Sequence, residues 1–237
     1  MKTNATHRRG FTLVELLVVI VIIAALAGLT APMVIRQRKK ADQTEAVNNA
    51  RQIGLAMLDF ETEYGSFPEG DLAEDINTQT GEEFADSTIT TSNDAFRQLI
   101  AAGIAQSEVM FFCKTAYSTR KPDDVMNTKD KMLKKGDVGF GYIMNSGGEA
   151  FSNAGSPGRV LIAAPLKYTG SFENGKFDRE VYDNKAVVLK MDNSVISLNV
   201  NKDGDAILGS QPLLSTGEQT VWGAGNVTPT MINPDPK

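Results

Sequence analysis

Histidine and cysteine are almost missing from this chain: among 237 residues there is one of each, His7 and Cys113. A single cysteine rules out an internal disulfide. A single histidine, ten residues or less from the start, removes the commonest general base and the commonest metal ligand from the rest of the chain. A serine or cysteine triad of the usual kind is thereby excluded, and Cys113 has no imidazole to activate it. No arrangement of carboxylates or lysines suggests another chemistry, so the expectation is a protein that is not an enzyme. Basic excess is lacking too. The formal net charge is −5, which argues against a nucleic-acid binder. No internal repeat is apparent.

What the chain does have is a charge-free run, Leu16 to Ile35, of about 20 residues or roughly 30 Å as a helix, the thickness of a bilayer's hydrocarbon core. Arg8-Arg9-Gly10-Phe11-Thr12-Leu13-Val14-Glu15 leads into it. A secretory signal peptide has a shorter apolar region followed by a small-residue cleavage site, and that order is not met here. Glu15 is the anomaly. An ionisable group in a membrane segment is costly and reads as functional, with a partner to be found.

Gly10-Phe11-Thr12-Leu13-Val14-Glu15 resembles the processing site of type IV pilins and type II secretion pseudopilins. The resemblance covers the chain through about Pro32 and is looser beyond. It implies that a prepilin peptidase cuts between Gly10 and Phe11, that Phe11 is then N-methylated, and that Met1 to Gly10 is a leader. Loss of Lys2, Arg8 and Arg9 takes the side-chain charge from −5 to −8, since −5 − 3 = −8. The resemblance also implies a single-pass inner-membrane protein with a cytoplasmic N-terminus and a periplasmic domain, destined for a periplasmic pseudopilus or a cell-surface filament. Charge counting alone does not give that orientation, because Arg36, Arg38, Lys39 and Lys40 outweigh the basic residues of the leader. The implied partners are the peptidase, other copies and minor pilins or pseudopilins, and an inner-membrane assembly platform.

Cleavage would create an amine on Phe11, four residues from Glu15. In a bundle of such helices the carboxylate of one subunit can neutralise the amine of its neighbour and select one axial register. The alternative is a glutamate that snorkels to the interface from near the helix end. Further along, Pro32 lacks an N–H and leaves the Gly28 carbonyl without its helical partner. That is either a tolerated kink or a place where the helix bends or unwinds on packing.

Beyond Ile35 the helix is expected to continue. Ala46, Ala50, Ile53, Met57, Phe60 and Tyr64 recur at spacings of three and four, an apolar stripe for a core. Asp42, Glu45, Arg51, Asp59 and Glu63 occupy the other faces, Gly65 caps the helix, and Phe67-Pro68 cannot easily extend it. Tyr64-Gly65-Ser66-Phe67-Pro68 resembles the helix exit of pseudopilin-like proteins.

The remainder reads as mixed. Glu69 to Thr91 is polar and aperiodic, a loop. Ser92 or Asn93 caps a short helix over 94–100 that ends at Gly103. Val109 to Cys113 reads as buried. Tyr117 to Lys135, with five lysines, is a solvated loop or else a surface for a partner or polyanion. Val138–Met144 and Arg159–Leu166 are candidate strands. Lys185 to Val200 reads as a hairpin whose two-residue turn, Asp192-Asn193, pairs Leu189 with Ile196 and Val187 with Leu198. In Asn201-Lys202-Asp203-Gly204-Asp205 the alternating oxygen side chains suit calcium, with Asp203 and Asp205 as ligands. The later glutamate of an EF-hand loop is missing, and an ordinary turn explains the same residues. After Leu208 a Gly-, Thr-, Ser- and Pro-rich tail is expected to be loosely packed or disordered.

These readings define an α+β, pilin-like chain: a leader (1–10), a transmembrane and assembly helix (11–35), its amphipathic continuation (36–65), an α/β globular domain with a C-terminal antiparallel sheet (66–208), and a tail (209–237). The expected function is that of a pilus or pseudopilus subunit. The missing disulfide and the late hairpin favour type II protein secretion. The alternatives are a type IV pilin in adhesion, motility or DNA uptake, and a membrane-anchored binding protein that never polymerises. Apart from calcium, no cofactor is expected.

Overall fold

The structure, a computed structural model, describes residues 11–118, 120–152, 156–168, 171–223 and 227–236. The leader, with Gly10, lies outside the described residues. Two compact units divide the chain, residues 1–39 and 40–237.

The first unit is the beginning of α1, a helix over Leu13–Tyr64. From Phe11 to Ile35 every side chain is exposed, the apolar ones included. This is the one described helix long and apolar enough to cross a membrane. The helix is uninterrupted through Gly28 and Pro32. Thr30 donates its hydroxyl to the carbonyls of Leu26 (3.1 Å) and Ala27 (3.3 Å), supplying partners in the turn that precedes the proline.

In the second unit, the rest of α1 turns Ala46, Ala50, Ile53, Met57 and Phe60 inward, each with no exposed surface, as the stripe requires. Gly65, at φ 82°, ends it, its N–H donating to the Glu61 carbonyl at 2.8 Å. Short helices α2 (Ala73–Thr80) and α3 (Ser92–Ala101) follow. The strands are β1 (Gly141–Asn145), β2 (Val160–Ala164), β3 (Leu166–Tyr168), β4 (Lys176–Phe177), β5 (Lys185–Lys190), β6 (Val195–Val200), β7 (Ala206–Leu208), β8 (Gln211–Pro212) and β9 (Pro229–Ile232). Seven form an antiparallel sheet ordered β8-β7-β6-β5-β2-β1-β9, and β3 pairs with β4 apart from it. The fold is α+β and pilin-like. Both outer strands contain a proline, Pro212 and Pro229, which has no N–H to offer a further strand.

Four expectations need correction. The supposed loop 69–91 holds α2, an eight-residue helix that buries Ala73 and Ile76 and ends on Gly81 at φ 73°; two apolar residues are too few to reveal a period. The cap of α3 is Thr91, not Ser92 or Asn93: the Asp94 carboxylate accepts the Thr91 N–H at 2.9 Å, as the third helical residue of a capping box does.

The hairpin register is shifted by one. Ala186 faces Leu198, Val188 faces Ile196 and Leu189 faces Val195. The Lys190 N–H bonds the Ser194 carbonyl at 2.9 Å, so the loop has three residues, and Asn193 closes it at φ 60°. A three-residue loop of this kind needs a left-handed last residue, which asparagine tolerates.

The described part of the tail is not loose. β9 lies along β1, with Ile143 opposite Met231. Trp222 is 1% exposed, donates Nε1–H to the Leu213 carbonyl at 2.7 Å, and packs against Phe151 and Phe172. These contacts are long-range, so composition could not announce them.

Candidate functional site

Thr12 stands immediately before the first residue of α1, and its side chain caps the helix. Thr12 Oγ1 accepts the Glu15 N–H at 3.2 Å, while Glu15 Oε2 accepts the Thr12 N–H at 2.9 Å and the Thr12 hydroxyl at 2.7 Å. Two orphan backbone donors are thus satisfied reciprocally, and a negative charge sits where the helix dipole favours it. The sequence signal was present as Thr-x-x-Glu before an apolar run, but the reading of Glu15 as a charge in search of a partner did not use it. Oε1 accepts no hydrogen bond among the described residues. The carboxylate therefore serves its own helix with one oxygen and keeps the other available, and Phe11, four residues earlier in the chain, is 78% exposed. Gly28 and Pro32 lie on the same unit, exposed, with nothing within 4 Å of a Cβ added at Gly28.

Asp203 and Asp205 do not share one set of surroundings. Asp205 Oδ1 is held by Lys176 Nζ at 2.6 Å and Oδ2 accepts from Asn201 Nδ2 at 3.2 Å, whereas Asp203 is exposed. Asn201 Oδ1 organises the loop by accepting the N–H groups of Asp203 and Asp205, both at 2.9 Å. This is a side-chain-closed turn with its better carboxylate already neutralised. Among the described residues no three His, Cys, Asp or Glu side chains gather as a metal site.

The lysines of the charged loop are largely spoken for. Lys121 pairs with Glu45, Lys129 with Asp86, Lys134 with Asp123 at 2.6 Å and Lys135 with Asp235 at 3.7 Å. Such pairing neutralises the patch a polyanion would need. Cys113 is fully buried, and burial pushes its thiol far above the usual range, so it is an inert core residue.

Sequence reasoning missed a buried polar junction. Glu108 has no exposed surface; its Oε1 accepts the Leu133 N–H at 2.5 Å, and its Oε2 is buried without a partner. Asp137, 2% exposed, accepts the Lys134 N–H at 2.9 Å. Desolvation pushes both carboxyls above their usual range. Asn93 completes the junction. Its Nδ2 donates to the carbonyls of Leu133 (2.8 Å) and Lys134 (3.1 Å), and its Oδ1 accepts the Asp235 N–H at 2.9 Å. Nothing in the local sequence marks Glu108 or Asn93, because their partners are 25 to 142 positions away.

Comparison with known proteins bears on the N-terminal segment and on the chain beyond it. A prokaryotic N-terminal methylation motif matches residues 6–31. Type II secretion system core protein G of Pectobacterium carotovorum subsp. carotovorum is 26% identical over 133 residues, 56% of this chain and 71% of that protein. The protein of the same name from Escherichia coli (strain K12) is 25% identical over 140 residues, 59% and 81% of the two chains. That of Aeromonas hydrophila is 27% identical over 146 residues, 61% and 87%. No solved structure matches.

Proposed function

We propose that this chain, homologous to type II secretion core protein G and carrying the prokaryotic N-terminal methylation motif, is a structural subunit of a type II secretion pseudopilus. It is processed after Gly10 by a prepilin peptidase and methylated on Phe11. The apolar part of α1 then holds it in the inner membrane, with the N-terminus cytoplasmic and the globular unit periplasmic. From there an assembly platform moves it into a helix-cored polymer with further copies and minor pseudopilins. Its work is mechanical, and no reaction is catalysed: the processed chain has no histidine, and its one cysteine is sealed in the core.

The observation that carries this reading is the conjunction at the start of α1. An apolar run with every side chain exposed begins at a carboxylate that has one oxygen in a capping box and one unused. Lipid covers such a helix before assembly, and neighbouring helices cover it afterwards. In the polymer the Phe11 amine of one subunit meets the free side of a neighbour's Glu15, because an unpaired charge among apolar helices is costly.

Mass spectrometry of the protein purified from membranes tests the processing step. The expected species starts at Phe11 and carries one extra methyl group. Retention of Met1 would sink the reading. Gly10→Val should leave the leader attached, since a branched side chain then stands where the smallest one was cut.

A further inference from the structure

We propose that the outward face of α1 in the globular unit carries a docking surface for a second copy of this chain, in which Arg51 of one copy pairs with Asp59 of the next and Leu55 packs between them. This rests on the filament reading above and names residues that set its axial register.

Leu55 is the anchor. It is 57% exposed, and among the described residues it is the one large apolar side chain outside 11–35 left that open. It lies opposite the buried stripe, with Arg51 and Asp59 one turn away on either side and exposed as well. Neither charge has an ion-pair partner among the described residues, whereas Asp42 and Glu45 on the flank are taken by Lys114 and Lys121. An exposed apolar residue between two unpaired, opposite charges is complementary to a copy of itself.

The direction of the offset chooses between arrangements. Arg51 precedes Asp59 by eight residues, about 12 Å along a helix; the Phe11 amine precedes Glu15 by four, about 6 Å. Both pairs put the cation N-terminal to the anion. Each pair therefore calls for a parallel neighbour displaced in the same sense. An antiparallel pair centred on Leu55 would also join Arg51 to Asp59, but it would close as a dimer and set the two membrane helices in opposite senses. A parallel, staggered contact does not close, so it propagates.

The test uses the full-length chain in cells that assemble it. Thr44 and Gln52 are exposed on the same outward face, eight residues apart, and are not among the three residues that make the proposed contact. A Thr44→Cys/Gln52→Cys variant treated with a short thiol-to-thiol crosslinker should give a ladder of covalent multimers. Cys113 is buried and inert, which makes the unsubstituted chain the blank. Adding Arg51→Asp should cut the ladder about fivefold, the scale of an exposed ion pair, and adding Asp59→Arg to that variant should restore it. Polymers that form normally yet give no ladder, or a ladder indifferent to Arg51→Asp, would overturn this contact while leaving the filament reading intact. Absence of any polymer from the unsubstituted chain would overturn both.

Discussion

Two stretches of α1 are rich in apolar side chains and meet opposite fates. Along 13–35 the large ones are between 44% (Val19) and 86% (Leu13) exposed, while Ala46, Ile53, Met57 and Phe60 are sealed completely. The difference lies in the pattern. The later stretch is apolar on one stripe, which a single sheet can cover; the earlier is apolar all round, which only apolar surroundings on every side can satisfy. The glycines repeat the lesson: a Cβ added at Gly28 meets nothing within 4 Å, whereas one at Gly54 would come within 2.0 Å of Asn193 Oδ1. One stretch is a finished interior, and the other is a surface made for partners outside the chain.

The strongest way to break this comparison is at Glu15, the one charge in the open stretch. Glu15→Ala should still insert and be processed, yet yield roughly a tenth of the polymer or less, because a neighbour's amine would be stranded among apolar helices. Glu15→Gln separates the two roles found for this side chain. Glutamine can keep the capping box with Thr12 but cannot neutralise an amine. If charge pairing drives assembly, Gln will fail as Ala does; full recovery with Gln would assign the effect to capping alone. Sheared-filament yield against membrane-fraction abundance is the measurement, and co-expressed wild-type subunits should rescue it partly.

Truncation in the closed stretch comes next. Ile53→Ala or Met57→Ala should destabilise the globular unit by about 2–5 kcal/mol, as expected when buried side chains are cut back without collapse. Val18→Ala, in the open stretch, should leave that unit's denaturation midpoint unchanged in detergent. Equal effects from the two would erase the distinction.

The glycine pair sharpens the contrast on a smaller scale. Gly54→Ala should cost about 1–3 kcal/mol, because the side chains of Asn193 and Leu189 must shift to admit the methyl group, outweighing a helix-propensity gain of about 1 kcal/mol. Gly28→Ala has only that gain to collect. Thermal unfolding of the globular unit, followed by far-ultraviolet circular dichroism, should therefore shift down for Gly54→Ala and not for Gly28→Ala.

The smallest effect is a pH dependence confined to the closed unit. Glu108 and Asp137 have raised folded-state values, so their contribution is complete in acid and is lost as pH rises through those values. Asp94 behaves inversely. Burial works to raise it, but hydrogen bonds from Thr91 and Thr90 outweigh burial and hold it low. Its contribution is present above the usual carboxylate range and is lost as pH falls through the depressed value. Stability should peak in mild acid. Glu108→Gln should flatten the decline on the alkaline side and raise the melting temperature at neutral pH, as differential scanning calorimetry across pH would show. An unchanged alkaline slope would show that Glu108 does not ionise there.

By itself the sequence determined whatever depends on neighbours along the chain. The uniform apolar run, the stripe from Ala46 to Phe60 and the stop at Gly65 are local patterns of a helix that repeats every 3.6 residues, and so was the unread Thr12–Glu15 box. Tertiary structure alone decided the rest. The hairpin register turned on a left-handed Asn193 that made the loop three residues long, and one residue's shift changes which side chains meet across two strands. The tail became an edge strand because β1 had a free side to pair, a fact about Gly141–Asn145 rather than about Pro229–Ile232. Glu108 and Asn93 found their roles through backbone groups that folding alone brought to them, since a buried polar atom is satisfied by whatever lies close in space, not in sequence.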